Sequence, residues 1–435
     1  MVTAETQLDG GNSVQQMLSL LGALLVGIGG LCVAFPDVAW CQDADPESAP
    51  AAAESPAGDA EGADAAEPRD SYERLEVNET LKNKAAINPI LLASKFNNPP
   101  DRPAFDQYYK EYAFPRWTYP QNFVGVNAKT NVHANLRGDL RVAKGEVHDH
   151  LVQMTFEFMN SLATGPYHPA AQINAILMIG ELNSVESVGN EPPKPYPDTL
   201  PVLLAAMEND KASDALRAAA MVGVVRHVES KIDNADVRKS VTTAMLKQAA
   251  VEVASGPEGT GRNWIRGQTV HALGLLGAVG ENNEVFNAIL KSVGDNGLSF
   301  STRCLAADAL GRLDYNGVEG IDIGAATAIL GPFIVETCGD EIHLAKESER
   351  KVFRRRMKEC LNVVTIALSG DGNAAHKGIA SLAKEEQATR LTELLKLMKT
   401  MVDANLDDKS LEEDKLRKAA ESFRGSVQEW LKAQS

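Results

Sequence analysis

The feature that most constrains the fold of this chain is a helical phrase that recurs along it. The clearest copies are 266–274 and 303–311, which both begin with arginine, end with glycine and hold mostly small and aliphatic residues between. Looser copies begin at Gln172, which replaces the arginine, and at Arg217, which lacks the glycine at the eighth step. A unit of this kind cannot close a core alone, so its recurrence predicts a stack of helical hairpins.

Between 146 and 370, apolar residues recur at steps of three and four, the period of helices that bury one face. The predicted helix pairs are 147–163 with 169–182, 199–209 with 213–228, 235–254 with 264–278, 283–293 with 302–313 and, less regularly, 323–337 with 349–368. The anchor positions 172, 217, 266 and 303 lie 45, 49 and 37 residues apart. These intervals bracket the roughly 40–47 residues of HEAT-type units and disagree with the 34 of tetratricopeptide repeats.

In these second helices, over residues 146–368, the chain resembles the HEAT-repeat superfamily, as a bacterial-type exported or membrane-anchored member. The expected fold is all-α, a HEAT-like α-solenoid of about five helical hairpins. The resemblance implies a right-handed superhelix whose second helices line a concave face for partners. It implies no chemistry, because function depends on particular sites rather than on a fold.

The repeated arginines Arg217, Arg266 and Arg303 allow two interpretations. In HEAT units an arginine at this place usually ties neighbouring repeats together through backbone carbonyls or an acid of the preceding turn; the alternative is a ligand-binding stripe. The glycines Gly274, Gly277 and Gly311 are expected at close helix contacts. A glycine inside a helix costs about 1 kcal/mol relative to alanine, and close packing would offset that cost.

Charge is distributed unevenly along the 435 residues. The net charge is −16, but residues 1–70 hold twelve acids against Arg69 alone, so the remaining 365 residues carry only −5. No broad basic excess is available to displace counterions from phosphates, so a nucleic-acid partner is disfavoured. With 44% hydrophobic and 6% aromatic residues, the chain suits helices packed mainly through aliphatic and small side chains.

Residues 1–41 form an expected signal peptide or membrane anchor. The stretch 17–35 has 19 residues without a charge, long enough to cross a bilayer as one helix. No lysine or arginine precedes Arg69, so neither a basic signal region nor a positive-inside orientation is supported. Export with cleavage near Ala39 or Cys41, an uncleaved anchor and a buried core helix all remain open, as does translation from Met17.

Residues 42–70 read as a disordered acidic linker. They contain ten alanines, four prolines, nine acids and no large apolar side chain, so burial cannot offset the entropy of ordering them. A solvated tether and an acidic recognition tail are the two roles considered for this segment.

Residues 71–145 form an aromatic-rich, proline-broken segment. Proline fixes φ and disfavours helix before it, so the sequence predicts an irregular, extended arm with at most one short helix near 106–112. The rings belong to Phe96, Phe105, Tyr108, Tyr109, Tyr112, Phe114, Trp117, Tyr119 and Phe123. They are expected to dock on the first helices and cap an apolar end, or else to form a patch for a peptide or glycan.

The search for catalytic motifs yields no assigned catalytic, cofactor or metal residue. His148 and His150 flank Asp149, but side chains two positions apart on a helix point about 200° apart and do not readily chelate one ion. The glycine-rich stretch 256–263 lacks the Lys-Ser/Thr ending of a phosphate loop and reads as a connector. His227 and His271 fall within predicted helices, where a satisfied core or groove histidine is the usual role, with acid–base work as the alternative.

The cysteines show no metal-binding spacing. Cys32 and Cys41 lie in the export region, and Cys304, Cys338 and Cys360 are widely spaced in the helical part. In an exported protein one disulfide with a leftover thiol would remain an option.

The C-terminal residues 371–435 are expected to form a helical hairpin. Two apolar stripes at helical spacing, within 391–402 and 416–431, flank a turn at 403–409. The hairpin either closes the last repeat or leaves one stripe exposed as a self-association seam.

These patterns predict a protein- or peptide-binding scaffold without catalysis of its own, exported, periplasmic or membrane-anchored with the solenoid outside the cytoplasm. The partner would bind the concave face, and residues 17–35 would contact the membrane if uncleaved. The alternative is a ligand-handling or lyase-like enzyme that uses polar side chains of the concave groove, and a third option is a structural envelope component. No cofactor is expected.

Overall fold

The computed structural model describes residues 72–123, 131–254, 256, 259–347, 350–408 and 410–433. Helices dominate this part of the chain, and the contacts within Tyr72–Ser435 make it one compact unit. The expected signal or anchor at 1–41 and the expected linker at 42–70 lie outside the described residues. No helix among the described residues is long and apolar enough to cross a membrane.

The first described segment is more helical than expected. It contains α1 (Asn88–Leu92), α2 (Asp101–Tyr108) and α3 (Val132–Val142), with a π-helical turn directly after α2 and short 3-10 turns. The prediction of an extended arm with at most one short helix is therefore wrong. Pro89 and Pro103 lie in the first turns of α1 and α2. Proline is tolerated there because the first N–H groups of a helix make no intrahelical hydrogen bond, so these prolines do not prevent helix formation.

The aromatic rings of this segment pack against the first helices, which is the first of the two arrangements predicted for them. Phe105 and Tyr109 are fully buried and Trp117 is 1% exposed. Phe114 stacks on Phe158 with ring centroids 4.8 Å apart. Because Phe158 belongs to the following helix α4 (Gly145–Thr164), the rings close the apolar end of the helical array rather than forming an open patch.

The predicted paired helices are all present. After α4 come α5 (Pro169–Glu181), α6 (Thr199–Glu208), α7 (Asp214–Glu229), α8 (Ala235–Ala250), α9 (Thr260–Leu276), α10 (Glu284–Gly294), α11 (Phe300–Gly311), α12 (Ile323–Glu347) and α13 (Arg350–Ser369). Ends agree with prediction to within four residues, except that α12 continues ten residues beyond the predicted end at 337. A two-stranded antiparallel sheet, β1 (Asn183–Val185) and β2 (Lys194–Pro195), separates α5 from α6.

Packing follows a repeated pattern. The first and second helices of each pair contact each other, from α4 with α5 to α12 with α13. The second helices also contact one another in order, α5 with α7, α7 with α9, α9 with α11 and α11 with α13, and more extensively than the first helices do. The buried apolar residues form one continuous core from Ile87 to Trp430.

Small residues set the close approach between successive second helices. A β-carbon on Gly180 would lie 2.9 Å from Cα of Gly223, and one on Gly274 would lie 2.7 Å from Cβ of Ala309. Both contacts join the eighth position after one anchor to the sixth position after the next. Gly277 has another role, since it ends α9 with φ +73° and has no atom closer than 3.8 Å to such a β-carbon.

The C-terminal stripes form α14 (Glu385–Met401) and α15 (Glu413–Lys432). These helices contact each other as a hairpin would, but α15 packs chiefly against α12. Met398 and Val427, one from each stripe, are fully buried, and Trp430 is 8% exposed. Burial of both stripes favours closure of the helical array over an exposed self-association seam.

Candidate partner-binding surface

The repeated arginines bind backbone carbonyls within their own helix pair. Arg217 donates from Nε to the carbonyl of Met207 at 2.9 Å, and Arg303 donates from Nε to that of Val293 at 2.8 Å. Arg266 donates to the carbonyl of Val251, the residue directly after α8. Each acceptor lies at the carboxyl end of a first helix, where the last carbonyls have no intrahelical partner and the dipole favours a cation.

Gln172, which replaces the arginine in the first copy, makes the equivalent bond. Its amide Nε2 donates to the carbonyl of Gly165 at 2.8 Å, and Gly165 caps the carboxyl end of α4. Glutamine at this position therefore keeps the hydrogen bond to the end of the first helix but lacks the positive charge of arginine.

Two of the arginines also reach forward to the next pair. Arg217 donates to Oε1 of Gln248 on α8 at 3.3 Å, and Arg303 donates to Glu336 on α12 at 2.9 Å and lies over the Phe333 ring. Arg217 is fully buried, and Arg303 is 7% exposed. The arginines thus connect helices rather than forming a surface stripe, but their carbonyl bonds lie within one helix pair and not between repeats as expected.

Each of α5, α7, α9 and α11 has one face on which most residues are at least partly exposed, although Asn174, Ala219 and Gln268 in it are buried. The positions of this face share one register. They fall two residues before and two, five and nine residues after the anchor. The residues are Ala170, Asn174, Leu177 and Glu181 on α5; Ala215, Ala219, Val222 and Arg226 on α7; Trp264, Gln268, His271 and Leu275 on α9; and Ser301, Leu305, Asp308 and Arg312 on α11. We call this set the second-helix face.

Side chains on α5, α7 and α11 in this face are paired within the protein. Asn174 donates to the carbonyl of Ala170 at 2.8 Å. Arg226 donates to the carbonyl of Gly180 at 2.8 Å and to the Asn183 side chain, so it closes the carboxyl end of α5. Arg137 on α3 pairs with Glu181 at 2.8 Å and ties the N-terminal segment to α5.

At its α11 end, the second-helix face adjoins the loop that follows α13, which contains Asp371 and His376. Arg312 binds Asp308 at 2.6 Å and lies 3.6 Å from Asp371, whose carboxylate is 2.9 Å from Nδ1 of His376. Burial opposes ionisation of Asp371, but hydrogen bonds from the Asn373 N–H and from His376 lower its pKa below the usual value. This network was not identified from the sequence, because its members are brought together only by the loop.

The face of α9 differs from its neighbours. Trp264 is half-buried, Gln268 is 8% exposed, and Nδ1 of His271 is buried. Of these three side chains, only His271 has a buried polar atom, Nδ1, without a hydrogen-bond partner among the described residues. Burial lowers the pKa of His271, against a smaller opposing effect of Asp308, so the ring is neutral near pH 7.

The histidines of the 148–150 cluster point to different neighbours. Nε2 of His148 lies 3.8 Å from Glu186 near β1, whereas Nε2 of His150 lies 2.6 Å from Asp106 on α2. The Glu186 carboxylate raises the pKa of His148 above its usual value, despite burial. The pair therefore joins two separate parts of the fold to α4.

His227 is a packed core histidine. Its Nε2 lies 2.8 Å from the hydroxyl of Thr199, and burial lowers its pKa to about 4. The structure thus places His227 in a structural contact between α6 and α7.

Among the described residues, the remaining sequence motifs do not come together as a catalytic or metal-binding site. Cys304, Cys338 and Cys360 are buried free thiols, and burial raises the pKa of each. No group of three or more histidine, cysteine or acidic residues that could hold a metal ion occurs within the described ranges. The glycine-rich connector is described only in part, and Gly259 leads directly into α9.

No protein-family model, curated protein or solved structure matches the chain.

Proposed function

We propose that the chain is a HEAT-like α-solenoid of five helical hairpins whose second helices line a concave partner-binding surface. In this proposal the protein is a non-catalytic scaffold for a protein or peptide. The function is carried by the second-helix face, which occupies one register on four successive helices. Such a continuous surface suits an elongated partner, because each hairpin adds one step to it.

Two further observations support the solenoid. The second helices contact one another in chain order, and the bond from Arg or Gln to the end of a first helix recurs in four pairs. The aromatic segment covers one end of this array, and α15 covers α12 near the other. Covered ends are what a stack of repeats requires for solubility.

The test is peptide capture by the full-length chain in detergent micelles, on an array of random 12-residue peptides. Val222, half-buried on the second-helix face, is replaced by lysine, which places a long charged chain on the surface. We expect the wild-type chain to retain a reproducible set of peptides and Val222→Lys to lose most of them.

The matched control is Val237→Lys. Val237 is 37% exposed on α8, a first helix, so the same substitution changes charge away from the proposed surface. Retention should then equal that of the wild type. Failure of the wild type to retain any peptide, or equal loss in both variants, would reject the scaffold.

We also propose that residues 17–35 direct export or anchor the chain in a membrane. The support is a 19-residue uncharged stretch followed by an acidic, alanine- and proline-rich segment. Cell fractionation with N-terminal sequencing tests this proposal. A new N-terminus near 39–41 indicates cleavage, an intact chain in the membrane fraction indicates anchoring, and an intact cytosolic chain contradicts both.

A further inference from the structure

Glu341 on α12 is a buried carboxyl group that the fold leaves without a hydrogen bond. The residue is 0% exposed, and neither carboxylate oxygen has a hydrogen-bond partner in the part of the chain that the structure describes. Arg356 of α13 lies 3.0 Å from Oε1 but is not aligned to donate a hydrogen bond to it. Buried polar groups in folded proteins nearly always find a partner, so this carboxyl calls for an explanation.

The surroundings of Glu341 favour its neutral form. The charged groups on the elements around Glu341 and its neighbouring thiols are Asp340 on α12, Arg356 and Glu359 on α13, Arg303 on α11 and Arg424 on α15. Burial raises the pKa of Glu341 to about 7, while Arg356 opposes the shift and Asp340 adds to it. The proton therefore leaves this carboxyl near neutral pH, and the buried carboxylate that remains has no hydrogen bond to compensate for its lost hydration.

Glu341 belongs to the face of α12 that packs against α13. Cys338 and Ile334 precede it by three and seven residues, which places them on the same side of the helix. Cys338 is 1% exposed and Ile334 is fully buried. Cys360 of α13 hydrogen-bonds to Thr337, which neighbours Cys338 on α12. Movement of Glu341 from this interface towards water would therefore uncover the Cys338 thiol.

α12 has a point at which it can bend. Pro332 lies inside the helix, where proline removes one backbone hydrogen bond and its ring crowds the carbonyl of the preceding turn. Before this point α12 is packed closely on α15, since a β-carbon on Gly331 would lie 2.5 Å from Cδ2 of Leu431. After it, α12 meets α15 at Gly339 through the long side chain of Arg424, whose Cζ would lie 3.1 Å from such a β-carbon. A flexible side chain can follow a displaced helix, so 333–347 is freer to move than the part before Pro332.

We propose that residues 333–347 of α12 form a pH-sensitive switch, which packs on α13 while Glu341 is protonated and swings outward about Pro332 when Glu341 is ionised. In the outward position water solvates the carboxylate, and Cys338 becomes accessible. Arg356 remains over the Phe300 ring of α11 in both positions.

Opening of this segment is linked to loss of the Glu341 proton. The solvated carboxyl of the open form has the ordinary pKa of 4.5, whereas the pKa in the closed form is about 7. The closed form binds more protons between these values, so the open fraction rises with pH by up to about tenfold per unit and levels off above about 7. Between pH 5 and 7 the expected rise is about 40-fold.

The experiment measures how fast 4,4′-dithiodipyridine labels Cys338 in the full-length, folded chain at pH 5, 6 and 7, with peptide mass spectrometry as the readout. Glu341→Gln keeps the shape of the side chain but does not titrate, so the ratio of wild-type to variant rates cancels the pH dependence of the thiol itself. This ratio should rise about 40-fold between pH 5 and 7. Pro332→Ala restores the missing N–H and should slow labelling of Cys338 severalfold at pH 7.

Glu393→Gln is the matched control, because it removes an exposed carboxyl on α14 and should follow the wild type at every pH. Cys304 on α11, a buried thiol that is 3% exposed, distinguishes the switch from unfolding of the whole chain. Its labelling should stay slow while that of Cys338 rises, and labelling of both thiols in parallel would reject the switch. A Cys338 ratio that does not change with pH, or equal labelling in Pro332→Ala and the wild type, would also overturn it.

Discussion

Arg303 donates from Nε to the carbonyl of Val293 at 2.8 Å, and so links α11 to the last turn of α10. The same relationship joins Arg217 to Met207 in an earlier pair. The bond satisfies a carbonyl that a helix end leaves unpaired, and the guanidinium extends to the following pair. One side chain thus holds three helices, which explains why the residue recurs at this place.

Arg303→Ala should lower the free energy of unfolding by about 3 kcal/mol, because it leaves a buried carbonyl unpaired and removes the bond to Glu336. Urea denaturation followed by circular dichroism measures the change. Arg238→Ala is the control, since Arg238 also donates to a carbonyl, that of Ile232, but is exposed. Its cost should stay below about 1 kcal/mol, and equal costs for the two variants would contradict the linking role.

Gly180→Ala should destabilise the fold by about 1–3 kcal/mol, because the added β-carbon would lie 2.9 Å from Cα of Gly223 on the next second helix. Gly138→Ala gives the opposite expectation. Gly138 lies inside α3 with no atom within 4 Å of an added β-carbon, so alanine should stabilise by about 0.5–1 kcal/mol. Thermal unfolding of the two variants measures both signs, and destabilisation by both would show that contact distance is not the cause.

The sequence predicted the paired helices well because their apolar residues keep a helical period over whole turns. It failed where polar residues are buried by the fold. The helix predicted over 323–337 continues to Glu347: polar residues beyond Thr337 break the apolar pattern, although Glu341 among them is fully buried. The sequence analysis predicted arginine bonds to backbone carbonyls, but it placed them between repeats, whereas the structure has them within one helix pair. The difference between α9 and its neighbours was not predicted, because sequence alone does not show which polar side chains find partners on distant helices.

Asp139→Ala should loosen the N-terminal segment. The Asp139 carboxylate is 7% exposed, accepts a bond from the Tyr109 hydroxyl at 2.8 Å and pairs with Lys84. Removing the acid leaves Lys84, whose side chain is 23% exposed, without its counterion and leaves the Tyr109 hydroxyl without its acceptor. Hydrogen exchange over 72–123 should rise strongly in this variant, whereas Tyr109→Phe, which removes one bond, should raise it far less. Exchange unchanged in Asp139→Ala would refute this role.

Glu341 should make stability fall as pH rises. Burial raises the pKa of this carboxyl to about 7 from an ordinary value of 4.5, although Arg356 lies 3.0 Å away and opposes the shift. Between these values the folded state binds more protons than the unfolded state, so the free energy of unfolding decreases with increasing pH and levels off above about 7.

Glu341→Gln removes this titration while keeping the shape of the side chain. Arg356 is 30% exposed and still lies over the Phe300 ring, so it tolerates the loss of its counterion. At pH 8 the variant should be more stable than the wild type by about 3 kcal/mol, and the difference should vanish towards pH 4.5. Urea midpoints at pH 5, 6, 7 and 8 measure the difference. Parallel curves for the two proteins would show that the Glu341 carboxyl titrates alike in the folded and unfolded states.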